Sequence, residues 1–432
     1  MSVVTWGVSF PAEWPRTRIK HVCRFVGGGT PDKGKPEYGN GEIPWVSPKD
    51  MQNRTIEDTE DHITADGLSN SATKLIHPGA VLLVMRSGIL RHSIPVAINR
   101  ITVALNQDMR ALIPHHNVEA RYLAWLIEGH QQELLNVWSK VGSTVESLES
   151  DLIGETEIAV PLLNQQIAIA DYLDRETSHI DALIAAKENL LALLAEKRRA
   201  LITRAVTRGL DTDVSMRDSG VPWLGEVPAH WEIKALRFLV SITSGATPDT
   251  GKPEFWDGDI PWVSPKDMKQ NEIADAEDHI SELALNSSTL KIIEPHSVLI
   301  VVRGMILAHS FPCAVTTAKI TINQDMKSLR CCELLNPHFL CNYFKGVEKH
   351  VVSLADTSAH GTKKIESEVF GRLEICFPML EEQAMIVEKI NSSLQSLDAL
   401  VKKTEETITL LKERRSVLIF VAVTGRIDRF NN

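Results

Sequence analysis

The sequence predicts a duplicated α+β protein: two similar globular domains separated by two long antiparallel helices that form a coiled coil, giving a pseudo-two-fold internal repeat. Three observations carry this. A shift of 217 residues lays the first half of the chain on the second without a gap. Inside each half, short β-type runs are broken by Gly, Pro and Asn. Behind them comes a stretch free of Pro and Gly in which apolar residues recur at a spacing of four and three.

The repeat covers the whole chain. Trp14 falls on Trp231, Trp45 on Trp262, Arg86 on Arg303 and His92 on His309, and the run Asn106, Gln107, Asp108, Met109 meets Asn323, Gln324, Asp325, Met326. Farther on, Pro161 and Gln166 match Pro378 and Gln383, and "AVTRGLD" ending at Asp211 matches "AVTGRID" ending at Asp428. The expected boundaries are a globular domain at 1–155, a helical region at 156–212, a second domain at 213–372 and a second helical region at 373–432.

In each domain the runs "AVLLVMRSG" and "IPVAINRITVAL", or "SVLIVVRG" and "FPCAVTTAKITI", read as strands, and "VEARYLAWLIEGHQQELLNVW" reads as helix. The loops between strands are where binding residues are expected. In the helical regions a ladder runs through Leu173, Thr177, Ile180, Ile184, Lys187, Leu191, Leu194, Arg198, Leu201 and Ala205. Shifted by 217, it becomes Ile390, Leu394, Leu397, Val401, Thr404, Ile408, Leu411, Arg415, Leu418 and Ala422. A helix that long needs a partner, and its duplicate is the obvious one.

The stretch "GGGTPDKGKPEYGNGEIPWVSPKDM" places Gly29, Gly34 and Lys35 at the spacing of a phosphate-binding loop. Pro36 then stands where a magnesium-holding Ser or Thr is needed, and the second copy has Ala246 in place of Gly29. A nucleotide site is excluded on both counts. Nor does the chain carry a methyltransferase motif: the nearest match is "NPHF", Asn336 to Phe339, with His338 where a second proline belongs.

Composition is ordinary for a globular protein, with 43% apolar and 24% charged residues. No apolar run is long enough to span a bilayer, so the cytoplasm is the expected location. Six scattered cysteines form no C-x-x-C pair and read as reduced, mostly buried thiols, and no histidine spacing supports a metal site. The net charge of −10 predicts weak DNA binding by this chain alone, since duplex affinity depends on cations displacing counterions.

With its two domains and two helical regions, the chain resembles the specificity subunit of Type I restriction-modification systems. The resemblance rests on "SGVPWLGEVPAHW", on "IPWVSPKDM" in both copies, on "VPLLNQQIAIADYLD" and "FPMLEEQAMIVEKI" opening the helices, and on "AVTGRID". It implies a non-catalytic, DNA-binding subunit whose two target-recognition domains read a bipartite double-stranded sequence. The implied partners are two modification subunits, which methylate adenine N6, and restriction subunits. S-adenosylmethionine, ATP and magnesium are then expected on those partners only, with no cofactor on this chain.

Candidate DNA-binding residues are Lys33, Lys35, Lys49, Arg54 and Arg86 in the first domain and Lys252, Lys266, Lys269 and Arg303 in the second, as cations able to pair with guanine or neutralise phosphate. Positions that differ between copies are candidates for specificity: Gln52, Asn53, Arg54 and Thr55 against Lys269, Gln270, Asn271 and Glu272, and Arg91 against Ala308. Trp45 and Trp262, inside an apolar "IPWV", are read as core rather than as base-stacking platforms. Arg198 and Arg415 interrupt the heptads at matching rungs and are candidates either for setting register or for docking the modification subunits. The similarity of the copies predicts that the two half-sites are related, as nearly inverted repeats.

Overall fold

The computed structural model describes residues 6–140, 145–357 and 362–427. Asp428, which closes the second "AVTGRID", lies outside them. The chain forms two compact units, Met1–Glu188 with Glu406–Asn432, and Asn189–Glu405.

In unit 1 the strands of the two larger sheets are β1 (Cys23–Gly27), β2 (Gly39–Val46), β3 (Thr55–Ile56), β4 (His62–Ile63), β5 (Val81–Val84), β6 (Val96–Asn99), β7 (Ala104–Leu105) and β8 (Met109–Pro114). They form a five-stranded sheet in the order β1-β8-β5-β6-β3 and a three-stranded sheet in the order β4-β2-β7. The run "VLLV" of β5 does not alternate because it is the central strand, with all four side chains fully buried. Each such side chain contributes about 1.5–3 kcal/mol of burial. Two joins are parallel, β3 to β6 and β2 to β7. Sequence patterning did not reveal these, because a two-residue strand has no period to read.

The expected helical stretch is two helices, α1 (Ala120–Gly129) and α2 (Gln131–Trp138), whose buried Trp125 and Trp138 anchor the unit's core. The first long helix is Leu163–Arg208, and the second is Leu380–Val423. Residues of both enter the core of unit 1: Ile169, Ala170 and Leu173 from the first, Ile419, Ala422 and Val423 from the second. Close approach is possible because α1 ends in glycine: a Cβ on Gly129 would stand 3.0 Å from Ile419 Cγ2 and from Val423 Cγ2.

Unit 2 repeats the plan with β9 (Val240–Ser244), β10 (Ile260–Val263), β11 (Glu272–Ile273), β12 (His279–Ile280), β13 (Val298–Val301), β14 (Arg303–Gly304), β15 (Cys313–Thr316), β16 (Thr321–Ile322) and β17 (Met326–Cys331). Its sheets, β9-β17-β13-β15-β11 and β12-β10-β16, have the order found in unit 1. Register also repeats, with Val81 opposite Leu112 and Val298 opposite Leu329. The helix α3 (Pro337–Gly346) ends at the glycine equivalent to Gly129, where an added Cβ would lie 2.7 Å from Val206 Cγ2. Beyond it lie the short strands β18 (Asp356–Thr357) and β19 (Lys363–Lys364).

The heptad ladder holds throughout: every rung is buried or half-buried in its own unit. In unit 1, Asp181 pairs with Arg415 and Glu188 with Lys412, so the two helix segments run antiparallel there. Four of the six cysteines are buried and all six are free thiols.

In unit 1, His130 is fully buried among Trp6, Phe10 and Phe420, and neither ring nitrogen has a partner among the described residues. Burial, aided by the charge of Arg426, pulls its pKa down to about 4. The neutral ring therefore contributes stability that is fully present above the ordinary histidine value near 6.5 and is lost as pH falls toward about 4. The loss amounts to roughly 3 kcal/mol. Thermal unfolding at pH 7.5 and pH 4.5 should show a larger drop for the wild-type chain than for His130→Val, which installs the residue found at the equivalent Val347.

Candidate nucleic-acid interface

The repeated opening segment is a pinned loop. In unit 1 it requires both glycines, since a Cβ on Gly28 would lie 1.8 Å from the Asn106 carbonyl oxygen and one on Gly29 2.6 Å from Thr73 N; the glycine both copies share is the first, where a Cβ on Gly245 would lie 2.0 Å from the Asn323 carbonyl oxygen. The loop carbonyl that follows accepts from an indole, Trp45 Nε1 to Gly29 O at 3.1 Å and Trp262 Nε1 to Ala246 O at 3.0 Å. Both tryptophans are thus committed to holding the loop.

After β2 the chain turns through a capping box in which Ser47 and Asp50 satisfy each other, and Asp50 Oδ1 also accepts from Glu60 N at 2.9 Å. Ser264, Asp267 and Glu277 repeat it. On this frame Lys49 lies 3.0 Å from Glu60 and 2.9 Å from Asp61, and Lys266 lies 3.3 Å from Glu277 and 2.9 Å from Asp278. Hydrogen bonds to those carboxylates raise both ammonium pKa values, so each lysine is fully charged yet locally balanced. His62 and His279 bond Asp58 and Asp275 at 2.9 and 2.8 Å.

In unit 1 the loop borders a cleft of about 310 Å³ lined by Lys33, Lys35, Tyr38, Trp45, Asp61 and His62, among others. Lys33 and Lys35 are exposed there, with the Lys35 ammonium 5.1 Å from the Tyr38 ring centre. Lys252 stands likewise 4.9 Å from the Phe255 ring. Gln52 and Asn53, and their equivalents Lys269 and Gln270, are exposed at the tip of the following turn.

Arg86 and Arg303 leave the central strands and meet Asp108 at 2.7 Å and Asp325 at 2.5 Å, both exposed. Arg91 bonds Glu146 at 2.7 Å, which raises its pKa.

Arg54 is placed differently from the other candidates. Its guanidinium is 3.2 Å from the Trp125 ring centre and hydrogen-bonds Glu128, and burial pulls its pKa down to about 10. Its equivalent, Asn271, accepts from Lys345 at 2.6 Å, and Lys345 is the equivalent of Glu128. The difference between copies at 54 and 271 is therefore matched by a difference on the neighbouring helix, so these contacts hold the domain together and leave Arg54 partnered within it.

Arg198 and Arg415 are also partnered inside their units. Arg198 pairs with Asp398, and Arg415 bonds Asp181 at 2.9 Å and Glu128 at 2.8 Å. Asp181 and Asp398 are equivalent under the 217-residue shift, so the same clasp between helices is made twice. Both arginines are engaged within the helix pair of their own unit.

"NPHF" has a structural use: Asn336 caps α3, accepting from His338 N at 2.8 Å, with Pro337 in the first turn. Among the described residues, no group of three or more His, Cys, Asp or Glu could hold a metal ion, and no helix is long and apolar enough to cross a membrane. Sequence reasoning overlooked Lys327, Lys363 and Lys364. The signal was present in the shift, which sets Lys363 against Glu146 and Lys364 against Ser147.

Two copies of one loop-bearing domain, each with exposed cations on a capped frame, have the form of a recognition protein. Comparison gives the family. The profile of the Type I restriction modification DNA specificity domain matches residues 11–192 and again 228–410, so the chain belongs to that family, with two target-recognition domains and a DNA-recognition rather than a catalytic role. The EcoR124I/EcoR124II specificity subunit of Escherichia coli is 38% identical over 164 residues, 38% of this chain and 40% of that one. The MjaIX specificity subunit of Methanocaldococcus jannaschii is 25% identical over 424 residues, 96% of this chain and 94% of that one. In fold, a chain from a structural study of complex assembly and conformational transition of the type I R-M system gives a TM-score of 0.74 at 16% identity, covering 97% of this chain and 99% of that one. The HsdS subunit from Thermoanaerobacter tengcongensis gives 0.55 at 16% identity over 97% and 98%.

The two arginine clasps should differ in strength. Arg415 is 22% exposed and its partner Glu128 15%, whereas Arg198 and Asp398 are 38% and 55% exposed. Arg415→Ala leaves the nearly buried Glu128 with Arg54 as its remaining cation and should cost about 1–3 kcal/mol, while Arg198→Ala should cost about 1 kcal/mol or less. Denaturant unfolding of each variant measures this.

Proposed function

We propose that this chain reads a bipartite duplex target, one short block through each target-recognition domain, and recruits two modification subunits that methylate adenine N6. Restriction subunits join the same complex. The observation that carries this reading is the duplication itself: one pinned-loop frame occurs twice, while the exposed residues at 52–53 and 269–270 differ. A shared frame with different tips is what two related but unequal half-sites require.

Reading two blocks from one chain also raises the effective concentration for the second contact, so modest binding by each domain suffices. The number of residues in the two long helices then sets how many unread base pairs lie between the blocks. Lys33, Lys35, Gln52, Asn53, Arg86 and Arg91, with Lys252, Lys269, Gln270 and Arg303, are proposed to face DNA, and Lys49 and Lys266 join them by exchanging carboxylate for phosphate. Asn271 and Arg54 position the loops. The net charge of −10 assigns part of the phosphate contact to partner subunits. S-adenosylmethionine, ATP and magnesium belong on those partners, and the complex acts in the cytoplasm.

Genome-wide mapping of N6-methyladenine in cells with and without the gene tests the reading. The expected result is a single gapped motif, with its two blocks close to inverted repeats, that vanishes with the gene. An unchanged methylome, together with no sequence preference in gel shifts made with the modification subunit present, would refute it.

A further inference from the structure

The two units differ in charge at one antiparallel pairing. In unit 1, Arg86 pairs antiparallel with Ser147, and the Arg91–Glu146 bond at 2.7 Å lies beside that bridge. In unit 2 the equivalents of Glu146, Ser147 and Arg91 are Lys363, Lys364 and Ala308. The ion pair is gone, and Arg303 stands directly opposite Lys364 across the antiparallel pair β14–β19. Like charges in that position oppose strand pairing.

Lys327, on β17, adds a third cation. Burial and the charge of Lys364 both lower its pKa, and its ammonium meets the neutral hydroxyl of Ser367 rather than a carboxylate. Arg303, Lys327 and Lys364 line one cleft of about 310 Å³ with Gln324, Glu366 and Glu368. The acidic groups there are mostly engaged: Asp325 holds Arg303 at 2.5 Å, Glu368 holds Arg372, and Glu366 lies 3.7 Å from Lys364. A chain that brings cations together on a sheet edge gains stability when an anion is placed between them.

We propose that this cleft of the second recognition domain takes a phosphate of the DNA backbone; the first domain has Arg110 and Gln107 at the positions of Lys327 and Gln324 but Ser147 at that of Lys364, so the full set of cations is not repeated there. Lys327 and Lys364 supply the charge and Gln324 a neutral donor. The proposal rests on the DNA-reading function above and deepens it: the two half-sites are held with unequal electrostatic grip.

The test uses the full chain assembled with its modification subunits and a duplex carrying the mapped target, with affinity measured by anisotropy from 50 to 300 mM salt. Lys364→Ser, the residue of the first unit, and Lys327→Gln should each lower the slope of log K against log salt by about 1 and weaken binding roughly tenfold near 0.1 M salt, across target and non-target sequences alike. Lys364→Arg should keep both. Replacing single phosphates of the second half-site by neutral methylphosphonate should reproduce the loss at one position and add nothing in the Lys364→Ser complex. Unchanged slopes in both neutral variants, while the unaltered complex binds its target, would overturn the proposal and leave the functional reading intact. So would a loss of subunit assembly without a change in slope, or competition by free inorganic phosphate with no methylphosphonate effect. Failure of the unaltered complex to prefer any duplex would remove the functional reading itself, and this site with it.

Discussion

One buried side chain in each copy ties the long helix to the globular domain it follows. Gln166 is fully buried, donates to the Asn117 and Pro161 carbonyls at 3.0 and 2.8 Å, and accepts from Glu119 N at 2.9 Å. Gln383 makes the same three bonds, to Leu334, Pro378 and Asn336, all at 2.8 Å. An amide used at three points satisfies the turn before α1 or α3 and the entry to the long helix together, and removing it would strand several buried polar groups at about 1–3 kcal/mol each. The start of the ladder is thereby fixed in rotation against its domain. The clasps, the glycine contacts and the buried rungs all inherit that setting.

The charges follow a second rule. Most cations of the recognition loops carry a carboxylate partner from the same unit: Lys49 with Glu60 and Asp61, Arg86 with Asp108, and their equivalents. Such exposed pairs add little stability. What they supply is direction, since a lysine held between two carboxylates on a capped turn keeps one orientation. The acidic total of the chain is thus compatible with loops built around cations, and binding has to exchange internal partners for external ones. Affinity spent on that exchange is affinity that non-specific DNA does not receive.

Much of this was legible in the sequence because the chain contains its own control. The ladder through Leu173 and Ile390 could be read twice in one register, and every rung is covered in the structure. The repeated "IPWV", read as core, is so only in part: Val46, Trp262 and Val263 are buried, while Trp45 is half-buried at the cleft, and the role of the indole as a donor to Gly29 or Ala246 depends on a loop far away in sequence. Which glycine the two copies share for a steric reason was not legible: Gly28 and Gly245 each face a backbone carbonyl, whereas Gly29, crowded by Thr73, has Ala246 as its equivalent. Arg54 looked like a free loop cation because its partners, Trp125 and Glu128, lie more than 70 positions away. Lys363 and Lys364 were not among the candidates, and only their alignment with Glu146 and Ser147 marks them as a change of charge.

Composition by unit has a further consequence for biosynthesis. Unit 2 is a continuous stretch, Asn189–Glu405, whereas unit 1 is closed by residues from Glu406 onward. The first domain to leave the ribosome therefore waits, with the hydrophobic seat for Ile419 and Val423 uncovered, until every residue of the other unit has been made. Chaperone dependence should concentrate on that interval, and on the first domain rather than the second.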